Sequence, residues 1–197
     1  MNEIQKAIDF AVGIANDNSH GYDQAKRDGK PDYDCSALVI ASFEAAGVKV
    51  KESGATYTGN MRTAFLSCKF VDMFGKVNLA TGEGLIPGDV LLHEGHHTAI
   101  YIGNKQLVHA SINENGKIVG GKPGDQTGRE ICVRSYYNHP WNSILRYVEP
   151  LTPQEEVVAY ADNKILTDET KWLKKAMTDP EIYALLDKFK KYDEGRK

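Results

Sequence analysis

Three side chains in this sequence could together attack a carbonyl carbon: a cysteine at a helix start and two histidines in a β-rich stretch. Cys35 stands in Tyr33-Asp34-Cys35-Ser36-Ala37-Leu38-Val39. The free N–H groups and partial positive charge of a helix N-terminus favour thiolate over thiol. A nucleophilic cysteine also needs an imidazole to take its proton, and a third polar group to orient that imidazole. His97 and His109 lie 12 residues apart on either side of Gly103-Asn104-Lys105. If those three residues turn the chain, antiparallel pairing brings the two rings together, and His109 can hold the ring of His97. A helix packed across the same face would then bring Cys35 to His97.

Neighbouring residues offer competing chemistry. His96 precedes His97, so by residue type either could be the base; the 12-residue offset and the Ile100-Tyr101 strand favour His97. His93, Glu94 and His97 also match H-E-x-x-H. That motif holds zinc when a helix sets its two histidines on one face. Here Gly95 lies inside it, Pro87-Gly88-Asp89 precedes it and both flanks are β-rich, so a hairpin is expected and no metal or cofactor. Cys68 and Cys132 lack such partners and read as core or surface thiols. His20 and His139 read as solvent-facing, and Asp125 and Arg129 as loop charges. Tyr136-Tyr137-Asn138-His139-Pro140-Trp141 either stacks on a ligand or forms an apolar lid over the sheet.

These residues need elements to carry them. Ile4, Ala7, Ile8, Ala11, Val12 and Ala15 recur at helical spacing, which predicts a helix over 3–16. Asn16 to Gly21 are turn formers that end it. Residues 22–33 are polar and read as a loop delivering the chain to Cys35. Asp34 suits an N-cap, the apolar positions of 35–46 fit a helix, and Gly47 suits the position just past its end. Val48-Lys49-Val50 predicts the start of a strand, 53–60 a loop, 61–66 a short helix and 68–73 a strand. Then Val90–His93, His97–Ile102 and Gln106–Ala110 predict an antiparallel meander with short turns. Residues 131–134 and 143–147 predict two more strands. Glu149-Pro150-Leu151-Thr152-Pro153 marks a boundary, followed by short helices.

The totals exclude several classes. The chain has 197 residues, 41% hydrophobic and 26% charged, with a net charge of -3. This is globular composition with no basic cluster, so no nucleic-acid partner is expected. No apolar run approaches the roughly 20 residues needed to cross a bilayer, so no membrane insertion is expected. Three widely spaced cysteines make neither a disulfide framework nor a metal knuckle. Met1 to Lys6 lacks the basic and apolar regions of a signal peptide, which predicts synthesis in the cytosol.

The motifs taken together resemble a known family. Asp34-Cys35-Ser36-Ala37-Leu38-Val39 is similar to the D-C-S-G-L-V signature of NlpC/P60 cysteine peptidases, with Ala37 in place of the glycine. Pro87-Gly88-Asp89-Val90 is similar to P-G-D-L, His97 to Gly103 to H-V-G-I-Y-x-G, and Val108-His109-Ala110 to I-H-A, in the family's order. Residues 1–149 also resemble the phage branch of that fold, the endolysin amidases. The resemblance implies an α+β, papain-like fold with helices on an antiparallel sheet. It implies Cys35 as nucleophile, His97 as base and His109 as orienting residue, with Tyr22, Asp34 and Ser36 on the substrate. It implies bacterial peptidoglycan as partner. The reaction would be cleavage at the muramoyl-L-alanine amide or at the D-glutamyl bond, after release through a pore or a secretion machine. Two other classes stay open: a wall-binding module without catalysis, and a cysteine-dependent acyltransferase or deamidase. The expected organisation is a catalytic domain over 1–149 and a helical module over 150–197, the latter suited to wall binding or self-association.

Overall fold

The computed structural model describes residues 2–148; the helices expected in 150–197, and any self-association through them, lie outside the described residues. Three helices precede and flank one six-stranded sheet: α1 (Glu3–Ala15), α2 (Cys35–Ala45), α3 (Thr58–Leu66), β1 (Phe70–Asp72), β2 (Val90–His93), β3 (His97–Gly103), β4 (Gln106–Ala110), β5 (Ile131–Ser135) and β6 (Ser143–Tyr147). The strand order is β1-β6-β2-β3-β4-β5, and every neighbouring pair is antiparallel. This is the expected α+β class. None of the described helices is long and apolar enough to cross a membrane.

α2 is the central helix. Leu38, Val39, Ile40, Ser42 and Phe43 are all buried, so apolar residues surround it rather than forming one stripe. A helix of that kind must be enclosed. α1 packs on one side and β3 and β4 lie beneath it. Ser42 can sit in the core because its hydroxyl donates to the Leu38 carbonyl at 2.7 Å. Phe43, Phe65 and Phe70 meet at centroid distances of 5.6, 5.1 and 4.8 Å and tie α2 and α3 to β1. Each such ring pair adds roughly 0.5–1.5 kcal/mol beyond its buried area.

Strand alternation separates two cores. Val90, Leu92, Ile100, Val108, Ala110, Ile131 and Leu145 point to the helices. Leu91, Ala99, Tyr101, Leu107 and Ile144 point the other way, where Leu85, Trp141, Tyr136 and Tyr137 cover them. The aromatic loop 136–141 is therefore a lid over the far face, one of its two expected roles.

The β3–β4 turn takes the expected residues at an unusual backbone. Gly103, Asn104 and Lys105 all have positive φ, near 92°, 50° and 56°. At the same end of β3, Gly88 (φ 92°) lets the Pro-Gly-Asp turn before β2 lie against α1, since a Cβ there would meet the Ile4 side chain at 2.5 Å.

One predicted element is absent. Val48-Lys49-Val50 forms a turn, not a strand. The Val48 N–H donates to Phe43 and the Val50 carbonyl accepts from Ala55, so the backbone closes on itself. The valines alternate nothing; both are buried plugs beneath α2.

Candidate active site

The start of α2 is built by Asp34. Its Oδ1 accepts the Ala37 N–H at 2.7 Å and the Ser36 hydroxyl at 2.9 Å. Its Oδ2 meets Arg27 Nη1 at 2.9 Å. One oxygen thus holds the helix entry, as expected of an N-cap, and the other ties the preceding loop through Arg27. Asp34 and Ser36 are both buried, with their hydrogen bonds directed to each other and to the helix start. Tyr22 is buried too. Its backbone N–H donates to Glu130, its hydroxyl accepts from Gln24 at 3.2 Å, and burial with the nearby Cys35 pushes that hydroxyl up to about 12.

His97 and His109 come together as the spacing predicts. His97 Nε2 and His109 Nδ1 are 2.9 Å apart, with the rings edge to face. They lie on the face that carries Ala99, Tyr101 and Leu107, away from α2. This corrects the expectation that the helix crosses the histidine face. The route to Cys35 is instead a gap in the sheet. β3 and β4 pair at Ile100–Val108 and Tyr101–Leu107, and the ladder does not continue to their histidine ends. The Thr98 N–H, released from the ladder, points to the Cys35 sulfur together with the N–H groups of Ser36 and Cys35. The thiol at the head of α2 therefore stands against the residue that follows His97.

Electrostatics set the resting protonation. Burial pushes the Cys35 thiol up to about 12, the Asp34 carboxylate adds to this, and the three N–H groups oppose it. The helix start alone does not produce a resting thiolate, contrary to the first expectation, because desolvation outweighs it. Burial brings His97 down to about 4, with the positive charges of His139, His93 and Arg134 adding to the effect. Burial and His97 bring His109 down to about 3. At neutral pH the site holds a neutral thiol and two neutral imidazoles.

Side chains of the aromatic loop complete the site, with contacts that the sequence pattern did not specify. Trp141 stacks beside His97 at 6.0 Å with its ring inclined by 22°. Tyr137 packs on His109, and burial raises its hydroxyl, with Cys35 contributing. His139, expected to face solvent, packs against His93, His97 and Trp141. His20, also expected outside, is half-buried against Tyr33 and the Pro31 carbonyl. No local signal marks the contacts of the aromatic loop with His93, His97 and His109, which reach across more than twenty residues of chain.

His93 and His97 are opposed across the β2–β3 hairpin. The H-E-x-x-H match therefore lacks the helix its zinc chemistry needs. His96 is exposed and stacks on His93, 4.3 Å away, while His97 holds His109. Asp125 is more than a loop charge. It accepts N–H groups from Thr127, Gly128, Glu130 and Ile131 and so ties the turn that leads into β5.

No curated protein matches the sequence. Among solved structures, NlpC1 from Trichomonas vaginalis is similar at 16% identity and a TM-score of 0.45, over 74% of this chain and 44% of its own. The peptidoglycan hydrolase RipB from Mycobacterium tuberculosis is similar at 18% identity and a TM-score of 0.47, over 75% of this chain and 66% of its own. The P60 domain of an antigen from M. avium subspecies paratuberculosis is similar at 16% identity and a TM-score of 0.42, over 75% of this chain and 98% of its own. This chain thus spans less than half the length of the Trichomonas protein. The model of the endolysin-like domain matches residues 9–106 and 107–169, most of the sequence, and the chain belongs to the endolysin-like domain family.

Proposed function

We propose that this protein is a peptidoglycan hydrolase that cleaves an amide in or beside the wall's stem peptide through a covalent Cys35 intermediate. The observation that carries the reading is the buried His97–His109 pair, with the Cys35 thiol at the head of α2 acted on by the N–H of Thr98, the residue after His97. Membership in the endolysin-like domain family supports the choice of substrate.

The chemistry follows from proton positions. A base must offer a lone pair. With His97 donating its Nε2–H to His109 Nδ1, Nδ1 of His97 is the basic atom. As the Cys35 sulfur attacks the carbonyl carbon, its proton passes to that nitrogen. Backbone N–H groups at the helix start, that of Cys35 among them, stabilise the oxyanion. His97 then gives the proton to the leaving amine, and the C–N bond breaks to leave a thioester. Water, deprotonated by His97, releases the acid and restores the thiol. A lowered pKa keeps His109 neutral throughout, so no second positive charge opposes the imidazolium of His97. Asp34, Ser36 and Tyr22 shape the approach by holding the helix start against the sheet.

The bond cut is either the muramoyl-L-alanine amide or the D-glutamyl amide. Digestion of purified walls followed by mass spectrometry of the fragments reads this directly. New amino termini on alanine indicate the amidase, and new termini on the third stem residue indicate the endopeptidase. Retained wall digestion by Cys35→Ala would sink the covalent mechanism. So would activity lost to EDTA but kept after iodoacetamide.

A further inference from the structure

Beyond His109, on the side away from α2, a groove of about 610 Å3 opens along β5, the edge strand of the sheet. Ser111, Arg129, Cys132, Arg134 and Ser135 border it together with His109, and no carboxylate does. Five arginines fall among the described residues. Three end on carboxylates: Arg27 on Asp34, Arg62 on Asp72 and Arg146 on Asp89. Arg129 and Arg134 are the other two. Among the described residues neither forms an ion pair, and both border this groove.

The Arg134 cation is held without being neutralised. The Arg134 guanidinium lies 4.4 Å above the Tyr137 ring. Arg129 leaves the turn that Asp125 ties by backbone N–H groups, its own among them. Both arginines act on the Cys132 thiol between them, lowering it, while the Asp125 carboxylate acts the other way. Arg134 also acts on His97 and His109, and in the direction that weakens the base. A positive charge beside a catalytic imidazole works against catalysis unless an anion accompanies it during the reaction. Asp125 spends its oxygens on backbone N–H groups of its own turn and, among the described residues, forms no ion pair with either arginine. An arginine fork matches a carboxylate in shape as well as charge.

We propose that Arg129 and Arg134 form a carboxylate-binding subsite beside His109, which selects stem peptides carrying a free carboxylate next to the bond that is cut. This rests on the hydrolase reading and names the part of the substrate that the groove takes. The bound carboxylate offsets the field of Arg134, so an acidic peptide also restores basicity to His97. Arg129 and Arg134 are specificity residues here and touch no reacting atom.

The test is binding, separated from turnover. Full-length protein carrying Cys35→Ala is titrated by calorimetry with a synthetic L-alanyl-γ-D-glutamyl-L-lysine peptide, and with the same peptide amidated at the glutamate α-carboxylate. The expected result is about tenfold weaker binding of the amidated peptide, the scale of one charge-assisted contact. Adding Arg129→Gln and Arg134→Gln should weaken the acidic peptide to the level of the amidated one and leave the amidated one unchanged. Arg134→Lys should retain part of the preference, since it keeps the charge and loses the fork. Equal affinity for both peptides, no measurable binding of either, or a preference that survives the double substitution would each overturn the proposal. If the wild-type chain digests no purified wall while the Cys35→Ala protein shows the preference, the hydrolase reading falls and the subsite stands.

Discussion

Two buried polar pairs in the same sheet behave in opposite ways. Asp89 is fully buried in the Pro-Gly-Asp turn. It accepts the Ile86 N–H, and Arg146 reaches both its oxygens, at 2.8 and 2.7 Å. Arg146 then spends another N–H on the Gly84 carbonyl. Every acceptor is used, and the pair staples the start of β2 to β6. His109 is equally buried, but only its Nδ1 is engaged, and its Nε2 has no hydrogen-bond partner. Burial that is fully compensated makes structure. Burial compensated on one side leaves a group whose protonation is suppressed and whose remaining contact is directional, which is what a base-orienting residue needs.

The largest expected effect tests the reactive side of that contrast. Cys35→Ala should lower wall-hydrolysis kcat by roughly 10⁴-fold or more while changing thermal stability little, the pattern of a nucleophile in a preformed site. His97→Ala should cost roughly 10³-fold and His96→Ala almost nothing. Equal losses in the two would show that the exposed ring takes part in catalysis.

Next comes the structural side. Asp89→Asn removes the charge facing a partly buried guanidinium and should cost about 3 kcal/mol in chemical denaturation. Activity per folded molecule should stay near wild type. A loss of kcat beyond the loss of folded protein would merge the two pairs that the comparison separates. His109→Ala should do the reverse, lowering kcat about 10- to 100-fold with stability within about 1 kcal/mol, because the orphan nitrogen leaves with the ring.

The smallest effect is in pH dependence. His97 must be neutral to act as base. With its pKa lowered to about 4, kcat/KM should hold as pH falls through 6 and decline only as pH nears 4. An ordinary imidazole would already lose half its activity near 6.5. The Cys35 thiol, raised to about 12, should react slowly with iodoacetamide at pH 7 and faster as pH rises. Asp34→Asn keeps a capping side chain and removes the charge that raises the thiol, so alkylation at fixed pH should speed up.

Much of the site was legible because its signals are local or periodic. A short capping side chain before a helix marks Asp34-Cys35. Alternation marks the strands, and a three-residue turn sets His97 and His109 on one face. The strand expected at 48–50 failed because two valines with one residue between them read the same in a buried turn as in a strand. Arg129 was illegible as anything but a loop charge, since the missing carboxylate that gives it meaning is a property of the whole surface around it.

Residue order alone thus determined the α+β class, the helix that begins at Cys35 and the pairing of His97 with His109, all of which depend on contacts within a few turns or one hairpin. The tertiary structure decided three further things. It placed the histidines on the face away from α2 and set the Cys35 thiol against the N–H of Thr98, the residue after His97. It closed Trp141 over His97, from more than forty residues away. It made burial outweigh the helix start, so that the resting sulfur is a thiol. Desolvation depends on everything that surrounds a group, and no window of sequence contains that.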